Sequence, residues 1–160
     1  MTSIAYEKIS ENKWGHLYRV SLLDKNKIRP IELILKNVKS IFGLEKIYNK
    51  SYIKWNISKN DIDIVKLLEK ILEESYPNSD LEKLVSQISI RSNYPTMLKT
   101  KISNSSSHDV IKHNQGEIIT YNDLKNKLCN VSLLLKVVNI NNKKLTYNLE
   151  IKEIALLNNN

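Results

Sequence analysis

Tyrosine and lysine side chains alternate with apolar residues in two segments of this chain. Tyr52 and Lys54 occupy alternate positions in the stretch SYIKWNIS, so an extended strand would place them on one face. Lys99 and Lys101 have the same two-residue spacing farther along the chain. An aromatic ring can stack on a nucleobase, which contributes about 1–3 kcal/mol per base, and a lysine can neutralise a phosphate. These residue types at this spacing predict binding of a single-stranded nucleic acid rather than bond-making chemistry.

Three further aromatic side chains and three further cations complete the set of candidate contacts: Trp14, Tyr94, Tyr147, Arg19, Lys143 and Lys144. Trp14 lies outside any apolar pattern, and Tyr94 precedes Pro95 in a turn-like setting. Tyr147 alternates with apolar residues, which favours a core position, but the tip of a barrel hairpin often reaches the ligand. Each of the three cations is open to a second interpretation as an ordinary solvated surface charge.

Residues that commonly carry catalysis are sparse and scattered. His16, His108 and His113 have no metal-binding spacing with Cys129. Cys129 has an apolar context, which predicts a small buried side chain; as the only cysteine it cannot form an internal disulfide, which fits a reducing compartment. With three glycines, the chain has no glycine-rich phosphate loop. The sequence therefore predicts a protein that is not an enzyme and that uses neither a metal nor a cofactor.

The charges are divided unevenly along the chain. Residues 61–82 contain seven acids and two lysines, which gives this segment a charge of −5. Because the whole chain has a net charge of +8, the remaining residues carry +13. The acidic segment has helical periodicity, whereas the basic remainder has the alternation of strands. This division is typical of a protein that holds a polyanion on its sheet and keeps its helices away from it. Lys, Ile and Asn dominate the composition, so AT-rich coding bias is an alternative source of part of the basic charge.

Apolar periodicity also predicts the elements that position the candidate residues. Strands are predicted at 15–24, 31–38 and 51–58. Within the third strand, Trp55 falls with Ile53 on the apolar face and is expected in the core.

The period changes from strand to helix after the third strand. Ser58 with Asp61, or alternatively Asn60, can cap a helix that Pro77 ends. A second short helix is predicted at about 79–88. The elements predicted after it are a strand beginning near Pro95, a polar loop at 103–115, a short helix at about 121–128, and a hairpin of 131–140 and 143–156 about Asn141-Asn142.

This order of elements fits a single domain over residues 1–160. The predicted fold class is mainly β: a partly open antiparallel barrel with an acidic helical insert at about 60–88. The OB fold, which binds oligonucleotides across one face, is such a barrel. No apolar run reaches the length of a membrane span, and the N-terminus lacks an apolar signal core, so no membrane association is expected.

Five short motifs make the expectation of an OB-like nucleic-acid-binding fold more specific: PIEL (30–33), IFGL (41–44), YIKWNI (52–57), LKTKI (98–102) and KKLTY (143–147). Together the pattern resembles single-stranded-DNA-binding proteins of large cytoplasmic DNA viruses. It is also similar to the single-strand-binding protein of the virus-like linear killer plasmids of yeast. The resemblance implies an OB-fold protein that coats and protects single-stranded DNA during replication in the cytoplasm, with replication proteins as further partners. It leaves open whether the chain forms a homo-oligomer.

Two features depart from those proteins. Tyr147 stands in the final hairpin, where the viral proteins usually carry a tryptophan, and the chain ends in three asparagines rather than an acidic recruiting tail. Two other functions stay open. One is an OB-like interaction subunit of a viral or plasmid replication or transcription complex. The other is a factor that binds double-stranded or terminal DNA.

Overall fold

The computed structural model of the protein describes residues 2–13, 15–77, 82–103, 111–112 and 120–157. Within them the chain forms twelve strands, one α-helix and one short 3-10 helix, and all twelve strands join one mixed sheet. The prediction of a mainly β protein is therefore confirmed. Trp14, most of the predicted loop at 103–115 and the three C-terminal asparagines lie outside the described residues.

The strands are β1 (Thr2–Asn12), β2 (Gly15–Asp24), β3 (Lys27–Arg29), β4 (Ile31–Val38), β5 (Leu44–Ile47), β6 (Lys50–Asn56), β7 (Lys83–Leu84), β8 (Ile88–Ser89), β9 (Met97–Ile102), β10 (Ile111–Lys112), β11 (Cys129–Asn141) and β12 (Lys144–Leu156). Helix α1 spans Lys59–Ser75, and the 3-10 helix spans Tyr121–Leu124. The strands predicted at 15–24, 31–38 and 51–58 correspond to β2, β4 and β6.

The hairpin of β11 and β12 organises the sheet. The main path runs β1-β2-β11-β12-β9-β6-β5, and the shorter strands attach to β2, β9, β11 and β12. Strand β11 pairs with β4 along its first half and with β2 along its second half. In the described residues no ladder joins β1 to β5, so hydrogen bonds do not close the sheet into a barrel.

Helix α1 begins where its sequence predicts. The Ser58 hydroxyl accepts a hydrogen bond from the Asp61 amide (3.2 Å), and the Asp61 carboxylate accepts one from the Ser58 amide (3.4 Å), which completes a capping box. The helix ends at Ser75, and Pro77 follows two residues later. Its buried residues, Val65, Leu68, Glu69 and Leu72, form the stripe that packs against the sheet.

The prediction of a second helix at about 79–88 is wrong for the part that is described. Strands β7 and β8 occupy it, because β7 adds to the edge of β12 and β8 adds to β9. The short helix predicted at 121–128 is only the single 3-10 turn, after which Lys125 bridges to Ser40. The β11–β12 hairpin is confirmed, but its turn is centred one residue later, on Asn142 and Lys143, which both have positive φ (51° and 63°).

Candidate nucleic-acid interface

The pairing of β6 with β9 brings two predicted groups of residues together. Tyr52 lies directly opposite Lys101, and Lys54 lies directly opposite Lys99. Directly opposed side chains share one face of a sheet, with Cβ atoms about 4.5–5.5 Å apart. Lys50 belongs to the same face, because it precedes Tyr52 by two residues on β6. We call Lys50, Tyr52, Lys54, Lys99 and Lys101 the lysine–tyrosine cluster.

Lys50 is the member of this cluster that sequence reasoning missed. The same alternation that selected Tyr52 and Lys54 extends backwards to position 50, so the signal was present in the sequence. The strand predicted from the sequence began at residue 51, whereas β6 begins at Lys50, so the prediction stopped one residue short of this lysine.

The ring of Tyr52 is covered rather than open. The Lys99 ammonium lies 4.2 Å from the ring centroid, which is a cation–π contact, and Tyr52 is only 9% exposed. The expectation of a ring already open for stacking is therefore not met in this conformation. A base would reach Tyr52 only after Lys99 moved aside.

Acids partly offset the positive charge of the cluster, because Glu45 lies directly opposite Tyr52 and Glu150 lies directly opposite Lys101. Lys54 is itself only 9% exposed. Burial and the neighbouring charge of Lys54 lower the pKa of Lys99, with Glu45 opposing this shift and Lys50 adding to it. Among the described residues, no acid lies within ion-pair distance of the cluster lysines. By contrast, ion pairs engage four lysines elsewhere: Lys8, Lys136, Lys143 and Lys152. An anion placed at the cluster would therefore relieve repulsion between like charges.

The opposite face of β6 anchors the cluster to the core. Trp55 is fully buried, as predicted, and its indole N–H donates to the Thr100 hydroxyl at 3.1 Å. That hydroxyl in turn donates to the Ile53 carbonyl at 2.7 Å. Because β6 and β9 are tied together behind the cluster, the spacing of the cluster side chains is fixed by buried contacts.

Tyr147 is a core residue and not an open contact for a ligand. It is 1% exposed, and its hydroxyl donates to the Glu69 carboxylate at 2.5 Å. Burial, together with the hydrogen bond to Glu69 and its charge, raises the pKa of Tyr147. The alternation with apolar neighbours gave the correct signal, whereas the analogy with hairpin tips did not. The second oxygen of Glu69 accepts from the Ser86 hydroxyl at 3.0 Å, so this buried acid links α1 to the sheet.

The tip of the β11–β12 hairpin lies apart from the cluster. Lys144 is six residues from Glu150, which faces Lys101, so about 20 Å of strand separates the two places. Lys143 pairs with Glu82 at 3.7 Å. The structure therefore does not join the two predicted tip lysines to Tyr52 and Lys101.

Two other candidates also lie outside the cluster. Arg19 forms an ion pair with Glu7 at 3.1 Å on the neighbouring strand β1. Tyr94 is half exposed, and its ring centroid lies 5.5 Å from that of Phe42, so it is part of a small aromatic pair. The structure tests no role for Trp14, since that residue is not described.

No protein-family model matches this chain, and no curated protein matches it. Functional inference therefore depends on the geometry of its own residues. In the described part of the chain, no three His, Cys, Asp or Glu side chains gather as metal ligands would. Burial raises the pKa of the Cys129 thiol to about 11, so this thiol is a poor nucleophile. The described helices include none with the length and apolarity needed to cross a membrane.

Proposed function

We propose that the chain binds single-stranded DNA without base-specific readout, and that the lysine–tyrosine cluster is the principal contact. The observation that carries this proposal is the register of β6 against β9, which sets four lysines around one tyrosine on a single sheet face. Cations and a flat ring are the two components that sequence-tolerant single-strand binding needs. The role that follows is to coat and protect replication intermediates in the cytoplasm, without catalysis.

The cluster suits a ligand that brings negative charge and a ring at once. Phosphates would replace the repulsion among the lysines with attraction, and Lys99 would leave the Tyr52 ring to meet a phosphate. A base could then stack on the freed ring, which contributes about 1–3 kcal/mol for any base. Lys99 thus covers the Tyr52 ring in the free protein and leaves it when the ammonium binds a phosphate of the ligand.

The position of α1 supports the same proposal. The helix contacts Tyr147 through Glu69. Tyr147 and Glu150 project to opposite faces of β12 because they are three positions apart on the strand. Glu150 lies opposite Lys101, so the acidic helix and the lysine–tyrosine cluster are on opposite faces of the sheet. The acidic segment of the sequence and the lysines of the cluster then lie on opposite sides of the sheet.

An OB-like arrangement is part of this proposal. It is supported by the position of α1 between strands β6 and β9 in the chain and by the long β11–β12 hairpin at the centre of the sheet. In this arrangement the sheet is a partly open barrel whose two ends are not joined by hydrogen bonds. Replication proteins are the further partners that the proposed role implies.

A fluorescence-anisotropy titration tests the proposal. We expect tight, salt-sensitive binding to oligo-dT and much weaker binding to duplex DNA, with oligo-rU measured alongside to separate DNA from RNA preference. The pair Lys54→Gln and Lys101→Gln should weaken oligo-dT binding about tenfold or more. It should also lower the slope of log affinity against log salt by about 1.4, at roughly 0.7 per lost phosphate contact on a single strand.

A matched pair controls for the loss of two charges. Lys36→Gln on β4 and Lys66→Gln on α1 change the net charge equally at exposed positions outside the cluster. Their effect on oligo-dT binding should be small. Equal losses from both pairs would show that only net charge matters and would remove the cluster from the proposal. Absence of any single-strand preference by the unmodified chain would overturn it entirely.

A second candidate function is an interaction subunit of a replication or transcription complex. It is favoured by three exposed apolar side chains, Ile64, Leu67 and Ile71, which lie along one face of α1. Lack of binding to any nucleic acid in the titration above would favour this function. A preference for duplex or for DNA ends would instead favour a double-strand or terminus-binding factor.

A further inference from the structure

A second basic site lies where β11 changes its neighbour. The ladder with β4 ends at Leu135, and the ladder with β2 begins at Val137. Lys136 falls between them, within an irregularity in the pairing of β11 with β12. A cleft of about 330 Å³ opens at this gap. The lining residues that matter here are Arg19, Val20, Ile28, Arg29, Leu135 and Lys136.

The lining of this cleft combines apolar surface with cations. Leu135 and Val20 are buried core residues that form its floor, and Ile28 is 72% exposed at its rim. Arg19 and Arg29 are two of the three arginines in the whole chain. A planar guanidinium can stack on a base and can also hold a phosphate by two hydrogen bonds. The volume is within the range of small-molecule pockets, which begins at about 300 Å³.

The three cations of the cleft differ in how free they are. Arg19 is paired with Glu7 and Lys136 with Glu150, both at 3.1 Å. For Arg29, the described residues supply no ion-pair partner. Arg29 is therefore the cation that can bind a phosphate directly. Arg19 and Lys136 must first break their ion pairs with Glu7 and Glu150.

Lys136 of the cleft and the lysine–tyrosine cluster lie on one face of the sheet, whereas Arg29, directly opposite Leu22, lines the cleft from the other face at the edge strand β3. Glu150 connects Lys136 with the cluster, because it contacts Lys136 and lies directly opposite Lys101. From β6 to β2 the path crosses four strand spacings, a distance of about 19 Å. At an axial rise of about 3.4 Å per nucleotide in a stacked strand, this distance is long enough for about five nucleotides.

We infer that this cleft is a second subsite for the same single strand of DNA, and the inference rests on the proposed function. One nucleotide enters the cleft, its base packs on Ile28 and the apolar floor, and its phosphate binds Arg29. The strand then crosses β11, β12 and β9 to reach Tyr52. The site therefore distinguishes long from short oligonucleotides, because only a long strand occupies both places.

Titrations with oligo-dT of two lengths test this inference. The unmodified chain should bind about 16 nucleotides much more tightly than about 4 nucleotides. The double variant Ile28→Ala and Arg29→Ala should lose about tenfold in affinity for the long strand and little for the short one. For the long strand, its slope of log affinity against log salt should fall by about 0.7.

The matched control is Ile34→Ala with Lys36→Ala, which removes one exposed isoleucine and one cation from β4. Thermal melts monitor folding, and Arg29→Ala alone, at an exposed position, provides a second variant that keeps the rim isoleucine. If the cleft variants bind the long strand like the control pair, the second subsite is wrong while the cluster stands. If they weaken both lengths equally, the subsite is also wrong. If the unmodified chain binds no single strand, the proposed function and this inference fail together.

Discussion

The side chain of Lys99 is part of the lysine–tyrosine cluster and also covers the ring of Tyr52. The ammonium of Lys99 lies over the ring and also beside Lys54, a second cation. The cation–π contact offsets part of the repulsion between the lysines, but burial still lowers the pKa of Lys99. The free protein therefore holds this charge at a cost in stability that an anionic ligand would remove.

The first prediction concerns the ring. Tyr52→Leu keeps an apolar side chain of moderate size on β6 and removes the stacking surface. Affinity for oligo-dT should fall by about 1–3 kcal/mol, whereas the salt slope should not change, because no phosphate contact is lost. Anisotropy at several salt concentrations measures both quantities. An unchanged affinity at every salt concentration would mean that Tyr52 only packs beneath Lys99.

The second prediction uses the lowered pKa of Lys99. In the folded state this amine gives up its proton below the ordinary value of 10.5, so the unfolded chain binds more protons over that interval. Stability therefore rises with pH as Lys99 is deprotonated, since the repulsion is removed. Lys99→Met keeps the stem but has no charge. Its stability advantage over the natural chain, measured by urea unfolding, should shrink from neutral to alkaline pH; a constant difference would contradict the repulsion.

At the scale of elements, local patterns predicted some structures well. The alternation in residues 51–58 placed Trp55 in the core and Tyr52 on the other face, since a strand has a period of two. Ser58 and Asp61 located the start of α1, because a capping box requires only four residues. The helix expected at about 79–88 failed for a physical reason. Segments this short follow the edge to which they can add, and the edges of β12 and β9 were available.

Other features depend on pairing between distant residues. The contact of Tyr147 with Glu69 joins residues 78 positions apart, and no local pattern encodes it. Likewise, the alignment of Lys54 with Lys99 follows from the register of β6 on β9. Sequence therefore suggested four of the five members of the lysine–tyrosine cluster, all but Lys50, but only the sheet could show that they meet.

The third prediction tests the link between α1 and the sheet. Tyr147→Phe removes the hydroxyl that donates to the buried Glu69 carboxylate, so the protein should lose about 1.5–3 kcal/mol of unfolding free energy. A double-mutant cycle with Glu69→Gln, measured by urea unfolding, isolates the coupling between the two side chains. Affinity of folded Tyr147→Phe for oligo-dT should be unchanged, because this tyrosine is in the core. Strict additivity of the two substitutions would show that the hydrogen bond contributes nothing.

At the scale of the whole molecule, the acidic helix and the lysine–tyrosine cluster lie on opposite faces of the sheet. The acidic helix packs on the face of Tyr147, and the lysine–tyrosine cluster occupies the other face. Screening in physiological salt limits interactions between exposed charges to about 8 Å. Charges on the helix should therefore have little influence on a strand bound at the cluster.

The fourth prediction follows from this separation. Asp63→Lys with Glu74→Lys replaces two negative charges with two positive ones on the exposed surface of α1, so the net charge rises by four. In spite of this large change in net charge, oligo-dT affinity at physiological salt should change less than about threefold, as expected for screened charges. The cluster pair Lys54→Gln and Lys101→Gln changes the charge by only two, yet it should have the larger effect. The reverse ranking in the same titration would place the ligand on the helical side.

The open sheet affects how closely separate copies of the protein can approach one another without aggregating. A sheet that hydrogen bonds do not close keeps two edges, and an exposed edge can recruit a strand from another molecule. Here β1 has a register shift between Lys8 and Ser10 and a charged pair, Lys8 with Glu11, and β5 is only four residues long. Bulges, charges and short strands are features that prevent edge-to-edge aggregation. Neighbouring copies can therefore lie side by side at high local concentration without fusing their sheets into fibrils.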